Sequence, residues 1–166
     1  MARLHEYEWK TLLAANKIAI PMGNPARSPA EARSIAGELG GDIVVKGQAW
    51  VTGRAGLGLI QFARDPESAS QIAGDILGKK INNFTVDRVL VEEKLAVKRE
   101  FYAGVIIDDQ EQAPVVIFSS VGGTGIEEIA VANPTAVARA TVDIQRGFLD
   151  FQARELVRQT GIHGRL

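Results

Sequence analysis

The chain has 166 residues, 46% of them apolar and 23% charged, with a formal net charge of −1. That length fits one domain or two small subdomains with a real core, and the near-neutral balance offers no pull toward nucleic acid or an anionic membrane. Cysteine is absent, which excludes disulfides, thiolate metal sites and cysteine nucleophiles and fits a reducing compartment.

In chain order, the N-terminus MARLHEYEWK is polar and lacks the apolar core of a signal peptide. Residues 5–16 predict a short amphipathic helix with Tyr7, Trp9, Leu12 and Leu13 near one face, and residues 17–28 an extended connector. Ser28, Pro29 and Glu31 spell a helix start, a Ser-x-x-Glu box with proline at the first position. Ala30, Ile35, Ala36 and Leu39 form its expected buried face, and Gly40 ends it. DIVVKGQAW predicts a strand that reaches a glycine-rich loop, after which LGLIQFA resumes as its hairpin partner. Asp65, Pro66 and Gly78 then repeat the helix grammar. RVLVEEK, REFYAGVIIDD and APVVIFSS read as strands, GGTGIEEIAVANP as a turn and irregular link, VARATVDIQ as a strand, and FLDFQARELVRQTG as a closing helix. Helices mixed with mostly antiparallel strands make the class α+β. No apolar run nears the roughly 20 residues of a membrane span, so a soluble, cytoplasmic domain is expected.

The loop after Lys46 carries the chemistry. A P-loop needs lysine and Ser/Thr after its last glycine and then a helix; a dinucleotide fingerprint needs Gly-x-Gly-x-x-Gly opening a helix. Here the spacing is Gly53-x-x-Gly56-x-Gly58, and a strand follows. The flanks fit a hairpin loop folding over phosphates, with glycines admitting backbone N–H groups, Lys46 supplied by the preceding strand and Arg54 as a further cation at the tip. From spacing alone, that loop and an ordinary glycine-rich hairpin both stay open.

LHEYEWKTLLAANKIAIP, VVKGQ, the Gly-Arg loop, VLVEEKLAVKREFYAGVIID and SSVGGTGIEEIA follow in an order and at separations that decide more. With them the chain resembles, over nearly its whole length, the N-terminal nucleotide-binding part of the ATP-grasp subunit (β subunit) of succinyl-CoA synthetase. Its relatives include citryl-CoA and malate-CoA ligases and the front of ATP citrate lyase. The resemblance implies an ATP-grasp fold with a mixed, mostly antiparallel sheet and flanking helices. One incomplete domain is expected over 1–166: helix and connector to about 22, a nucleotide-binding subdomain over 23–110, and the start of a second over 111–166. It also implies an acid–CoA ligase that uses ATP or GTP and is inactive as an isolated chain. ATP phosphorylates a histidine on a CoA-binding partner subunit, the phosphate passes to a small carboxylic acid, and CoA displaces it. By matched position Lys46 binds phosphate, Gly53, Arg54 and Ala55 form the loop segment, Glu92 and Leu95 lie at the adenine hinge, and Glu100 lies on the ribose side. The plainer reading is that Glu92, Glu93 and Glu100 solvate strand edges.

The departures from that family are specific. Its loop lysine is Gly56 and one loop glycine is Ala55, which removes a cation and some backbone freedom. Its hinge threonine is Leu95, and Glu-Gly-Gly reads Val121-Gly122-Gly123. The family continues past Leu166 with an Asn and an Asp that bind Mg2+, so Mg2+ is expected but no metal or catalytic residue is assigned in this chain. A fragment, a split subunit and a degenerate, non-catalytic interaction module are the readings left open. His5 and His163 read as structural or solvated, because the resemblance puts the phosphorylated histidine on the partner.

Overall fold

The computed structural model describes residues 4–51, 53–123 and 126–164. The chain divides into two compact units, Met1–Ala96 and Val97–Leu166. The boundary therefore lies ahead of the one drawn at 110, because Tyr102–Asp108 pairs with Ala113–Ser119 in the second unit.

The first unit contains α1 (Glu6–Ala15), β1 (Gly23–Ala26), α2 (Pro29–Leu39), β2 (Ile43–Gly47), β3 (Ile60–Ala63) and α3 (Pro66–Ile76). A two-residue hairpin follows, β4 (Lys80–Ile81) with β5 (Phe84–Thr85), and then β6 (Val89–Glu93). The four-stranded sheet has the order β1-β6-β2-β3 with every neighbouring pair antiparallel. β1 and β2 thus run parallel around β6 through α2, and β3 and β6 run parallel around β2 through α3. α2 packs over β1 and β6, α3 over β2 and β3. Pro29 opens α2 beside Gly74 near the end of α3, and Pro66 opens α3 beside Gly37 of α2, so the two helices lie antiparallel.

Both helix starts form as their residues dictate. Glu31 N–H donates to Ser28 Oγ at 3.2 Å, and Ser68 N–H donates to Asp65 Oδ1 at 2.7 Å, which satisfies donors that a helix start leaves orphaned. The Glu31 side chain reaches one residue further back than expected, to Arg27 N–H. Ile43, Val45, Val89 and Val91 face Ala32, Ala36, Ala69, Ala73 and Ile76 across one side of the sheet. The expected face of α2 needs one correction: Ala30 is exposed and Ala32 is buried, because 32, 35, 36 and 39 keep helical spacing and 30 does not.

Three elements escape the sequence pattern. β1 lies inside the expected connector; its Pro25 is tolerated because β1 is an edge strand. The β4–β5 hairpin is too short to show a period and turns on Asn82 at φ 53°. In the second unit α4 (Ile126–Ala132) replaces the expected irregular link. Its seven residues are too few for a start and stop signature.

The second unit is a three-stranded antiparallel sheet, β7 (Tyr102–Asp108), β8 (Ala113–Ser119) and β9 (Val137–Thr141), with α5 (Asp150–Gln159) packed on β8 and β9. β9 stops short of the predicted Gln145. Asp143 Oδ1 accepts from Gln145 and Arg146 N–H groups and turns the chain. Among the described residues no helix is long and apolar enough to cross a membrane.

α1 inverts its expected orientation. None of its residues is fully buried; Trp9, Leu12 and Leu13 are exposed, and its polar residues meet the sheet instead. Ile76→Ala, inside the α3 core, is expected to cost about 3 kcal/mol in urea unfolding. Leu12→Ala on α1 is expected to stay within about 0.5 kcal/mol; a loss there as large as at Ile76 would show that the apolar face is buried after all.

Candidate functional site

The second face of the first unit's sheet holds an ion network built from three separate elements. Strand register sets Val44 opposite Glu92 and Lys46 opposite Leu90, so Lys46 and Glu92 share this face, one residue pair apart. β6 is an interior strand and Glu92 is only 1% exposed. That burial rules out a role as a solvated edge residue. A buried carboxylate needs cationic or hydrogen-bonding partners where it stands. Lys10 Nζ of α1 donates to Glu92 Oε1. Lys46 Nζ lies 2.8 Å from Glu92 Oε2, an ion-pair contact outside hydrogen-bond angles.

β1 approaches Glu92 because its residue there is glycine. A Cβ on Gly23 would lie 2.4 Å from Val91 O and 2.7 Å from Glu92 Cγ, closer than any side chain tolerates.

α1 closes over this face with charge. Its Glu6 Oε1 accepts from Lys46 Nζ at 2.9 Å and lies 3.4 Å from Lys10 Nζ. Its Oε2 accepts from Arg54 Nη2 at 2.7 Å. Arg88 Nη1 donates to Tyr7 Oη, and the His5 ring stacks on Trp50 at 4.3 Å between centroids. His5 therefore anchors the start of α1. Exposed His163 belongs to the second unit.

Arg54 does not extend from the loop tip as its position in the sequence implies. Its Nη1 donates to Gly47 O at 3.3 Å and its Nη2 to Glu6, so it folds back onto the network. Gly53 and Gly58 both have φ near +67°, which only glycine adopts at ease. Between them the chain coils: Leu57 N–H donates to Gly53 O, Gly58 N–H to Ala55 O and Leu59 N–H to Arg54 O. The Ala55 and Gly56 N–H groups donate to no acceptor among the described residues. An anion would find such donors ready. Thr52, which opens the loop, lies outside the described residues, as do Thr124 and Gly125.

Beside the network is an open cavity of about 590 Å³ with His5, Glu6, Gln48, Trp50 and Arg54 in its wall. Gln48 is 2% exposed and its Oε1 accepts no hydrogen bond from the described residues.

Of the residues singled out from the sequence, Lys46, Arg54 and Glu92 come together, and Gly53 and Ala55 shape the loop above Arg54. Leu95 is 52% exposed after β6 and outside the network. Glu100 is exposed at the start of the second unit, with its backbone carbonyl carbon 2.7 Å from where a Cβ on Gly122 would sit. Sequence reasoning missed Glu6 and Lys10. Their signal was present as an i,i+4 Glu-to-Lys pair on the stripe beside Trp9 and Leu13.

Burial alone would raise the Glu6 carboxyl. The hydrogen bonds and charges of Lys46 and Arg54 outweigh it and hold the group at about 2, from an ordinary 4.5. Burial likewise pushes Lys46 down, but Glu92 and Glu6 together raise it above its ordinary 10.5. A lowered acid stabilises the fold above its unfolded value and loses that contribution as pH falls through the folded one. A raised base stabilises below its unfolded value and loses that contribution as pH rises through the folded one.

Unfolding free energy is therefore expected to be level, for these two groups, between 4.5 and 10.5. Below that window the Glu6 contribution, at most about 3 kcal/mol, should fade toward pH 2; Glu6→Gln should flatten this acid limb in a pH series of urea unfolding. Glu92→Gln should cost roughly 3 kcal/mol by leaving two lysines facing a neutral amide. Asp42→Asn, which breaks the exposed pair with Lys94, should cost under about 0.5 kcal/mol. Equal losses in the two variants would mean that Glu92 is not the buried centre of the network.

A family model described as an ATP-grasp domain matches residues 3–166. Over 160 residues the chain is 42% identical to succinate–CoA ligase [ADP-forming] subunit beta of Roseiflexus sp. (strain RS-1), covering 96% of this chain and 42% of that protein. Over 163 residues it is 40% identical to succinate–CoA ligase [GDP-forming] subunit beta of Thermus thermophilus, covering 98% and 43%. The chain thus spans less than half the length of these relatives. Among solved structures, a dinucleotide-forming acetyl-coenzyme A synthetase 1 of Ca. Korarchaeum cryptofilum superposes with a TM-score of 0.71 at 22% identity, over 93% of this chain and 65% of that one. ATP citrate lyase of Methanothrix soehngenii does so at 0.65 and 23%, over 89% and 37%. These two likenesses concern the fold. With the family model matched over nearly all of its length, the chain belongs to the ATP-grasp family.

Proposed function

We propose that this chain is the nucleotide-binding part of an NDP-forming carboxylate–CoA ligase of the succinate–CoA ligase kind. The observation that carries the reading is the meeting of Lys46 and Arg54 beneath a coiled glycine loop whose Ala55 and Gly56 N–H groups are free of protein acceptors among the described residues. Relatives about 40% identical along this whole stretch are succinate–CoA ligase β subunits, of both ADP- and GDP-forming kinds.

In this reading Lys46 and Arg54 neutralise triphosphate charge, and the loop N–H groups hold phosphate oxygens in place. Glu92, buried in β6, fixes Lys46 from below. Past the end of β6, the Leu95 backbone offers a donor and an acceptor to the base edge. A CoA-binding partner subunit supplies the histidine that takes the γ-phosphoryl group and releases ADP or GDP. A small carboxylic acid then takes the phosphoryl from that histidine, and CoA thiolate displaces phosphate from the acyl phosphate to leave the thioester. Mg2+ accompanies nucleotides in such chemistry. Among the described residues no group of three or more His, Cys, Asp or Glu side chains is placed to hold a metal, so no step is assigned to it here.

In the full protein, saturating ATP at about 100 times its dissociation constant should raise stability by about 2.7 kcal/mol, seen as a higher thermal midpoint. Lys46→Ala should remove most of that gain. Absence of any gain in the unaltered protein would end the nucleotide reading. Recovering the protein with its partner and following ADP release with CoA and succinate, citrate or malate in turn would name the acid; release that ignores all three acids would sink the ligase assignment.

A further inference from the structure

Glu6 has no part in the nucleotide contacts proposed above, yet it holds both of their cations at once. Its two oxygens divide between them, Oε1 to Lys46 Nζ at 2.9 Å and Oε2 to Arg54 Nη2 at 2.7 Å. A carboxylate spanning two cations in this way has the charge and acceptor spacing of one edge of a phosphate. We propose that Glu6 is a built-in competitor for nucleotide phosphate, which must be displaced from Lys46 and Arg54 before both can grip a triphosphate. The inference rests on the nucleotide reading and adds the step that admits the ligand.

Three features of the network make Glu6 the group that yields. Glu92, the other carboxylate on Lys46, is fixed in an interior strand at 1% exposure, whereas Glu6 is 21% exposed on a helix with no fully buried residue. Arg54 keeps a neutral acceptor, Gly47 O, when Glu6 leaves. The released carboxylate is not stranded either, because Lys10 Nζ already stands 3.4 Å from its Oε1. Access is open as well: Glu6 and Arg54 both line the 590 Å³ cavity. The Glu6 carboxyl is held at about 2, so mild acid does not release it; a competing anion is needed. The binding-competent state is then a minor one, and apparent affinity falls by its population.

The test compares the full protein with its Glu6→Gln variant by calorimetry, using ATP, inorganic tripolyphosphate and adenosine as probes. Glu6→Gln is expected to bind ATP and tripolyphosphate about tenfold more tightly, with adenosine affinity unchanged and a lower thermal midpoint without ligand. Should the amide loosen α1, Glu6→Asp keeps the charge but draws it back by one methylene, and the same direction is expected. Unchanged or weaker tripolyphosphate binding in the variants, with ATP still bound by the unaltered protein, would overturn the competitor role and leave the nucleotide reading standing. If neither the unaltered protein nor the variants bind ATP, both readings fall together.

Discussion

A carboxylate in the middle of a sheet is the constraint on which the first unit is arranged. Glu92 sits on an interior strand at 1% exposure, and a charge taken out of water must be met by opposite charge and hydrogen bonds. Lys46 answers from the neighbouring strand and Lys10 from α1. Glycine at 23 follows, since only a residue without Cβ lets β1 close against Glu92. The orientation of α1 follows too. Its lysine is required at the sheet, so its polar stripe faces inward and Trp9, Leu12 and Leu13 face out.

Those demands explain why parts of the molecule were readable from sequence and others were not. The starts of α2 and α3 depend on local chemistry, Ser28-Pro29 and Asp65-Pro66, and local chemistry is visible in a string of residues. β2 and β6 were visible because strands covered on both faces read as apolar runs. β1 was hidden because its identity depends on its neighbours: Gly23, Asn24 and Pro25 have poor strand propensity and pair only because β6 offers an edge. The same distinction separates the site residues. Lys46 and the loop glycines announce themselves by type and spacing. Glu92 drew notice through family resemblance, and its burial came only with the sheet. Glu6 and Lys10 were passed over because an amphipathic helix is expected to turn its apolar side inward, and here a buried charge outranks that preference.

The charge count of the network bears on what an arriving anion would meet. Lys10, Lys46 and Arg54 face Glu6 and Glu92, one positive charge in excess. Gly56 in the loop adds an N–H donor but no charge. In the proposed reading, an arriving triphosphate thus meets a site whose cations are largely committed to carboxylates. Removing Glu92 from the balance would leave Lys46 without its fixed partner and collapse the geometry that aims it. Shifting Glu6 toward Lys10 changes the balance without disturbing the strands. Because Arg54 is tied to both Glu6 and Gly47 O, movement of that one carboxylate releases Nη2 while Nη1 keeps the loop anchored. On the proposal made for Glu6, cation release is then set by a residue on a helix that the sheet holds through charge rather than through apolar burial.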